Sequence, residues 1–276
     1  MSARILNPAD APVAREVLAG DPVGNVFVAS RLDAGVLNPT TPGMLWGWPA
    51  EHPTALLHAG ANLVPVATSL DAIPAFVEAA GRRRTCQSIV GPSWLVRPLW
   101  RALVERWGQP YEAVRDVRQH QPVMALSAGP SGPVDSRVRP ITTADFDSYF
   151  AASVAMYTEE VGADPLANGS GSGYRSYCRW LVDLGRAFGI VEHGRVIFKS
   201  DIGAASGSVA QIQGVWLDPA QRGRGLSAPA VAAVTEYILA EYHTASLYVN
   251  DFNIPAIRAY QAVGFTQVGE FATILY

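Results

Sequence analysis

The chain has 276 residues, of which 49% are apolar and 16% charged, and its formal net charge at pH 7 is -3. This composition can bury a sizeable core and argues against an intrinsically disordered chain. The small negative charge gives no reason to expect a nucleic-acid partner. No apolar run approaches the roughly 20 residues that cross a bilayer, so we expect no membrane partner either.

The first residues and the rare residue types narrow the class of protein. The opening MSARILNPAD has no apolar segment of signal-peptide length, so we expect a cytoplasmic protein. The chain has two cysteines, Cys86 and Cys178, and two lone cysteines in a long chain are more typical of buried free thiols than of a disulfide. The five histidines form no close pair with metal-ligand spacing, so we expect no metal site.

The N-terminal part, residues 1–126, alternates between strand and helix patterns. ALLHAG and NLVPVA predict two short strands around a turn at residues 60–62. DAIPAFVEAAGRRR predicts a helix with a proline in its first turn and Gly81 at its end. SIVGPSWLVRPLWRALVERWG predicts a strand, a turn and a helix. The alternation indicates a small α/β domain, and we find no catalytic constellation in it.

Residues 127–136 read SAGPSGPVDS and contain almost no core-forming side chain. Segments rich in Ser, Gly and Pro are typical of linkers. We therefore expect two domains, residues 1–126 and 137–276, joined by this segment.

The C-terminal part, residues 137–276, has clearer patterns. ITTADFDSYFAASVAMYTEE and YRSYCRWLVDLG predict two helices separated by a Gly/Ser-rich loop, ADPLANGSGSG. AFGIVEH and RVIFKSDIGAAS predict a hairpin that turns at Gly194, and AQIQGVWL predicts a third strand. A helix (LSAPAVAAVTEYILAEY), a strand (SLYVN), a helix (NIPAIRAYQAV) and one or two closing strands (FTQVGEFATILY) follow.

The segment QRGRGLSAP joins the third strand to a helix and has the chemistry of an anion site. The first turn of a helix has N–H groups without an intrahelical partner, and the helix dipole adds positive charge there. Gly223 and Gly225 let successive N–H groups face one concavity, and Arg222 and Arg224 add attraction. Pro229 has no N–H, so it fits the first turn of the helix without removing any of these donors.

Three interpretations of this segment are open from the residues alone. The first is a flexible turn with a helix cap. The second is a dinucleotide fingerprint of the G-x-G-x-x-A type in GRGLSA, with Asp251 at a plausible distance, although DPAQR separates it from the strand that such a motif should follow directly. The third is a pyrophosphate loop for coenzyme A. It is not a P-loop, because no GKS or GKT is present.

Two motifs and the order of the elements resemble the GCN5-related N-acetyltransferase (GNAT) family over residues 137–276. VWLDPAQRGRGLS matches the family's strand, R-G-x-G loop and helix. NDFNIPAIRAYQAVGF matches its N-x-x-A-x-x-x-Y-x-x-x-G-F pattern. Ser227 departs from the family, where many members have Gly or Ala.

The resemblance implies the GNAT fold, a mixed α/β sheet with helices, in the C-terminal half. The whole chain is also similar to bacterial proteins with an additional N-terminal domain and, more loosely, to tandem-GNAT enzymes such as mycothiol synthase. The N-terminal half is then expected to be a smaller, degenerate GNAT-like domain, since no RGxG occurs before residue 137.

The family further implies acetyl-CoA (coenzyme A) as cofactor. Its diphosphate is expected on the loop, its pantetheine on the edge of the preceding strand, and a further contact at the start of the last helix. The residues implied in binding are Val215, Trp216, Leu217, Arg222, Gly223, Arg224, Gly225, Leu226, Ser227, Ala228, Asn253 and Tyr260.

The resemblance implies Tyr260 as the general acid that protonates the leaving thiolate, whereas its spacing alone would favour simple packing. Many family members carry a glutamate base on the strand before the loop, where this chain has Gln211 and Gln213. Glu159 and Glu160 are the best replacements, and a water relay or an amine that arrives neutral would need no base.

The function implied is acetyl-CoA-dependent N-acetyl transfer, by direct attack on the thioester, to a primary amine of a small molecule or peptide. Two alternatives are open: a non-catalytic acyl-CoA sensor or scaffold, and another acyl transfer such as aminoacyl transfer. The sequence specifies neither the acceptor nor the oligomeric state.

Overall fold

The computed structural model describes residues 1–167 and 171–276. Residues 168–170, part of the expected Gly/Ser-rich loop, lie outside the described residues. The chain divides into two compact units. Unit 1 comprises Met1–Met124, Tyr248–Phe252 and Gln267–Tyr276, and unit 2 comprises Ala125–Leu247 and Asn253–Thr266. Each unit has a sheet with helices packed on it, so the predicted α/β class is confirmed.

Unit 1 contains the first strands and helices of the chain together with its last strand. Its elements are β1 (Arg4–Ile5), α1 (Ala11–Ala19), α2 (Val26–Asp33), β2 (Met44–Trp48), β3 (Ala55–Ala59), β4 (Asn62–Val66), α3 (Ile73–Ala80), β5 (Ser88–Pro92), α4 (Ser93–Trp107), α5 (Gln109–Glu112), most of β6 (Asp116–Leu126) and nearly all of β12 (Thr266–Leu275).

The sheet of unit 1 has the order β1-β2-β3-β4-β5-β12-β6. Strands β2, β3 and β4 are antiparallel, and the predicted hairpin around residues 60–62 joins β3 to β4. Strands β4 and β5 are parallel and pair for only two residues. The closing segment of the chain forms one strand, β12, which pairs antiparallel with β5.

Both faces of this sheet are buried. Side chains alternate along a strand, so Leu56 packs into the cluster with α1 and α2, and its neighbour Leu57 packs into the cluster with α3 and α4. Phe76 and Leu99 fill the second cluster from the helices. The N-terminal unit therefore has its own hydrophobic core.

Unit 2 contains the remaining elements. They are β7 (Arg139–Pro140), α6 (Phe146–Val161), α7 (Gly171–Asp183), β8 (Ala187–Glu192), β9 (Arg195–Ser206), β10 (Val209–Leu217), α8 (Ser227–Leu239), most of β11 (Thr244–Tyr248) and α9 (Ile254–Val263). Its sheet has the order β11-β10-β9-β8-β7, in which β10 and β11 are parallel and the other pairs are antiparallel.

The predicted hairpin of β8 and β9 is confirmed. It turns through His193 and Gly194, which both have a positive φ. Phe146 and Tyr149 of α6 pack with Leu181 of α7 on one face of the sheet. Helix α8 buries an apolar side of its own that includes Val231. Unit 2 thus has its own set of paired strands and a core built around its helices.

Helix α7 begins earlier than the sequence predicts, so residues 171–173 are helical and not part of the loop. Tyr174 contacts the rings of Phe150 and Tyr157 on α6. This packing holds the first turn of α7 against α6 and outweighs the poor helix propensity of glycine.

Cys86 and Cys178 are buried free thiols, as predicted. Among the described residues, no helix combines the length and the apolar character needed to cross a membrane. The described ranges also contain no cluster of three His, Cys, Asp or Glu residues suited to a metal ion.

Candidate functional site

The end of β10 is fixed by a buried carboxylate. Asp218 follows the strand, and its Oδ1 accepts a hydrogen bond of 2.9 Å from the N–H of Ala220. Its other oxygen lies 2.7 Å from the Arg195 guanidinium. The short helical turn Pro219–Gln221 follows. This arrangement sends the chain from the sheet into the RGxG loop in one defined direction.

The loop itself is exposed and left-handed at both glycines. Gly223 has a φ of +74° and Gly225 a φ of +75°. A Cβ at either position would meet nothing within 4 Å. In the described ranges, the N–H groups of residues 223–228 donate no backbone hydrogen bond outside helix α8. The donors at this strand-to-helix turn are therefore available to a ligand.

Helix α8 begins directly after this loop, at Ser227, with Pro229 in its first turn. At this end of the helix, the N–H of Ala230 donates to the carbonyl of Leu226. The positive end of the helix dipole and the loop N–H groups thus lie in the same stretch of chain. This combination favours an anion such as a phosphate.

The two arginines of the loop are held by neighbouring groups. Arg222 donates from Nε to the carbonyl of Leu217 at 3.0 Å and forms an ion pair with Glu159 at 2.6 Å. Arg224 donates to the Gln221 side chain at 2.6 Å. The charge of Arg222 is consequently offset by a carboxylate beside the loop.

The strand that leads into the loop separates from its neighbour β11. Residues 209–211 of β10 pair with residues 244–246 of β11, and the described part of the chain shows no further pairing between these two strands although β10 runs on to Leu217. On its other side β10 stays paired with β9, where Trp216 lies opposite Lys199. Residues 215–217, predicted to hold the pantetheine, lie on this diverging part of the strand.

A β-bulge interrupts β10 within this part. Gln213 pairs with Asp201 and Trp216 pairs with Lys199, so two residues, Gly214 and Val215, stand opposite the single residue between the β9 partners. Gly214 has a φ of +59°. A bulge changes the direction in which the backbone groups of the strand point.

Tyr260 lies in α9 and is almost fully buried. Burial, assisted by the nearby charge of Glu160, raises the pKa of its phenol well above the ordinary value. The hydroxyl is protonated at neutral pH, as it is in an unperturbed tyrosine, so the shift by itself does not favour the role of general acid. Its ring also makes an edge contact with Phe265, with a centroid distance of 6.3 Å.

Asn253 caps α9, and its Oδ1 accepts a hydrogen bond of 3.3 Å from the N–H of Ala256. Such a cap fixes the start of the helix that carries Tyr260. Asn253 thereby orients Tyr260, whatever contact it makes with a ligand.

The two candidate bases lie near the end of α6, in different surroundings. Glu159 accepts hydrogen bonds from Arg222 and, at 3.2 Å, from Trp216 Nε1. Glu160 lies close enough to Tyr260 to influence its titration. The structure thus brings Glu159 to the loop and Glu160 towards the phenol.

The two glutamines that stand on β10 where many members of the GNAT family have a glutamate base both lie in positions that the structure describes. Gln211 is buried, and the Gln213 amide donates a hydrogen bond to the hydroxyl of Tyr177 on α7. Neither amide can accept a proton at neutral pH. These two side chains therefore supply no base.

Sequence reasoning missed a charged cluster beneath the bulge. Lys199 and Asp201 are buried, and they form an ion pair with each other. The hydroxyl of buried Tyr149 donates to Asp201 at 2.9 Å. The available signal was the run VIFKSDIGA, in which two opposite charges two residues apart lie on one face of an otherwise apolar strand.

Unit 1 has a comparable divergence of parallel strands without a comparable loop. Beyond the short pairing of β4 and β5, a cavity of about 880 Å³ lies beside residues 66–68, Pro92, Trp94 and Leu95. The loop after β4, residues 67–72, reads ATSLDA and contains no glycine. This unit therefore has a cleft without the glycine loop of unit 2.

Two family models match parts of the chain. The model described as "FR47-like protein" matches residues 200–273, and the one described as "Domain of unknown function (DUF4081)" matches residues 43–149. No curated protein matches the chain.

Several solved structures are similar over essentially the whole chain. A GNAT-family acetyltransferase from Colwellia psychrerythraea matches with a TM-score of 0.58 and 10% identity, covering 100% of both chains. A GCN5-related N-acetyltransferase from Sphaerobacter thermophilus matches with a TM-score of 0.62 and 15% identity, covering 99% of this chain and 94% of the other. A tandem GNAT protein from the clavulanic acid biosynthesis pathway matches with a TM-score of 0.54 and 16% identity, covering 99% of this chain and 97% of the other.

At these identities the matches establish the fold. The chain has the GNAT fold, with two GNAT-like halves, and the predicted resemblance is confirmed at that level.

Proposed function

From the GNAT fold and the site in unit 2, we propose that this protein is an acetyl-CoA-dependent N-acetyltransferase that acts on a primary amine of a small molecule or peptide. The observation that carries the proposal is the set of N–H groups at residues 223–228, which donate no backbone hydrogen bond outside α8 among the described residues and of which residues 223–225 are exposed. These donors suit a diphosphate, and both glycines leave the space in front of the backbone open.

In this proposal the loop residues bind the cofactor, and the residues of β10 orient it. Acetyl-CoA, when bound, supplies the acetyl thioester. The N–H groups of residues 223–228 hold its diphosphate, and the diverging edge at residues 215–217 offers backbone groups to the pantetheine amides. A backbone N–H at the bulge stabilises the charge that develops on the thioester oxygen. Such a donor lowers the activation barrier by about 3–4 kcal/mol.

Protons are handled by side chains of α9 and α6. Tyr260 holds a proton in a buried site and gives it to the leaving sulfur. Of the two candidate bases, Glu160 is favoured, because its charge acts on the Tyr260 phenol, whereas Glu159 lies beside the loop and pairs with Arg222. An acceptor amine that arrives unprotonated makes either carboxylate dispensable.

The binding site is tested by calorimetric titration of acetyl-CoA into the parent and Gly225→Glu. Gly207→Glu is the matched control. Gly207 is also exposed, has a φ of +55° and has open space where a Cβ would lie. It lies in the turn between β9 and β10, whereas the RGxG loop follows the opposite end of β10. Both variants carry the same added charge and a similar backbone cost. We expect Gly225→Glu to abolish binding and Gly207→Glu to retain it. Equal affinity in all three proteins would refute the loop assignment.

A second function, a non-catalytic acyl-CoA sensor, is favoured by one specific observation. The strand positions of the usual base hold Gln211 and Gln213, and Glu159 is engaged. Tight acetyl-CoA binding without transfer to any member of a panel of amines would support the sensor. Transfer without any dependence on acetyl-CoA would instead indicate another acyl donor, such as an aminoacyl group.

A further inference from the structure

Strand β10 carries its bulge directly above a buried charged cluster, which we call the Lys199 network and define as Tyr149, Lys199 and Asp201. Asp201 receives hydrogen bonds on both carboxylate oxygens, from Lys199 Nζ on one and from the Tyr149 hydroxyl on the other. Lys199 also lies over the Tyr149 ring, 5.1 Å from its centroid. The three residues are between 0% and 3% exposed, so their side chains do not face a substrate.

The network is in contact with the bulge. A Cβ built on Gly214 would lie 3.0 Å from Lys199 Nζ and 3.1 Å from Asp201 Oδ2. Lys199 and Asp201 are also the β9 residues that pair with Trp216 and Gln213, the two residues that flank the bulge. The charged groups thus pack against the backbone at the point where the strand departs from regular pairing.

Stability gives no reason for this arrangement. A buried ion pair is commonly no more stabilising than apolar side chains of the same size, because both charges lose their hydration. Burial raises the pKa of the Asp201 carboxyl, while the Lys199 ammonium opposes that shift. What a buried, hydrogen-bonded carboxylate does provide is a fixed arrangement of the groups that pack against it.

We propose that the Lys199 network is a positioning device that holds the Gly214–Val215 bulge and so sets the direction of the strand N–H groups beside the reacting thioester. The inference deepens the proposed acetyl transfer and rests on it for its effect on turnover. Its structural part, a bulge held rigid by the network, is independent of any reaction.

The test removes both charges together in Lys199→Met/Asp201→Leu, because an apolar pair avoids leaving a lone buried charge. Amide hydrogen exchange is measured on peptides covering residues 211–217, and steady-state kinetics are measured in parallel. Val196→Ala, a buried position of the same strand, is the matched control for lost packing. Tyr149→Phe, which removes one hydroxyl, provides a milder variant if the double variant does not fold.

We expect faster exchange in residues 211–217 of the double variant, and less change in Val196→Ala. We also expect kcat to fall by about tenfold to a hundredfold, as small misplacements in active sites do. The KM for acetyl-CoA should stay within about threefold, because the loop that holds the diphosphate is intact. Unchanged exchange, or a parental kcat, would overturn the proposal.

The outcome separates this inference from the proposed function. If the parent transfers no acetyl group to any amine tested, the enzymatic proposal fails and exchange alone decides the role of the network. Faster exchange in the double variant, or in Tyr149→Phe, then supports a rigid bulge. Identical exchange in parent and variant refutes it.

Discussion

Replacing Gly214 by alanine should destabilise unit 2 far more than the same change at Gly207. Both glycines have left-handed backbones, with φ values of +59° and +55°. A side chain in this conformation costs about 1–2 kcal/mol, and the stiffer unfolded chain returns about 0.4–1 kcal/mol. Gly207→Ala should therefore lower the free energy of unfolding by about 1 kcal/mol, since its surroundings are open.

Gly214→Ala adds a steric cost. Its methyl group would meet Lys199 Nζ at 3.0 Å, and Asp201 Oδ2 and Met156 Cε at 3.1 Å each. The two charged side chains are held by each other and are buried, so they have little freedom to move away. Overpacking of this kind costs about 1–3 kcal/mol, which brings the expected loss to about 2–4 kcal/mol.

The assay is native-state hydrogen exchange of the amides of β9, which reports the opening free energy of this strand separately from unit 1. The two substitutions share their backbone cost, so the difference between them isolates the contacts with the charged pair. A difference below about 0.5 kcal/mol would show that the bulge tolerates a side chain, and the reasoning from the distances would be wrong.

Three further predictions concern the proposed catalysis and the acid stability of unit 1. Tyr260→Phe should lower kcat by about a hundredfold while the Kd for acetyl-CoA stays within about threefold, as measured by steady-state kinetics and calorimetry; an unchanged kcat would remove the phenol from the mechanism. Glu159→Gln releases Arg222 from its ion pair, so acetyl-CoA should bind a few-fold more tightly in low salt, with kcat little changed; a loss of about a hundredfold in kcat would instead identify Glu159 as the base. The Arg4 guanidinium holds the pKa of the Asp10 carboxyl at about 2, below the ordinary 3.8, so this pair stabilises the fold above pH 3.8 and the gain is lost as the pH falls through 2. Water screens this pair, so at pH 6 we expect the free energy of unfolding of Asp10→Asn to be only about 1 kcal/mol below that of the parent. Below the lowered pKa of Asp10 the two proteins should be nearly equal in stability, as measured by denaturation across the acid range. A stability difference that stays constant between pH 6 and pH 2 would contradict this link between the pKa of Asp10 and folding.

The features that sequence predicts well are those that local chemistry determines. The loop at residues 223–225 has two left-handed glycines, and the helix after it has Pro229 in its first turn. Both features can be recognised in the sequence, because glycine favours a left-handed backbone and proline fits the first turn of a helix. The β8–β9 hairpin follows from two apolar strands around Gly194. Asn253 is recognisable as a cap because its side chain satisfies an N–H group only three residues away.

The features that sequence did not predict depend on contacts between distant residues. Strand β12 pairs with β5, about 180 residues earlier in the chain, so β12 belongs to unit 1 although it follows the last helix of unit 2. Lys199 and Asp201 look like solvent-facing residues of a hairpin until α6 brings Tyr149 over them. In both cases the residues that make the contact are far apart in the sequence, so the local pattern of either segment does not reveal it.

The two units also show why the fold alone does not specify a ligand. In each, two parallel strands pair over only two or three residues. In unit 2 strand β10 leads into a glycine loop whose N–H groups have no backbone partner outside α8 among the described residues. In unit 1 the loop after β4 has no glycine, and within it the Ser69 hydroxyl donates a hydrogen bond to the Asp71 carboxylate. Since a phosphate is attracted by N–H groups and repelled by a carboxylate, the difference between the two halves resides in a few loop residues and not in the sheets that position them.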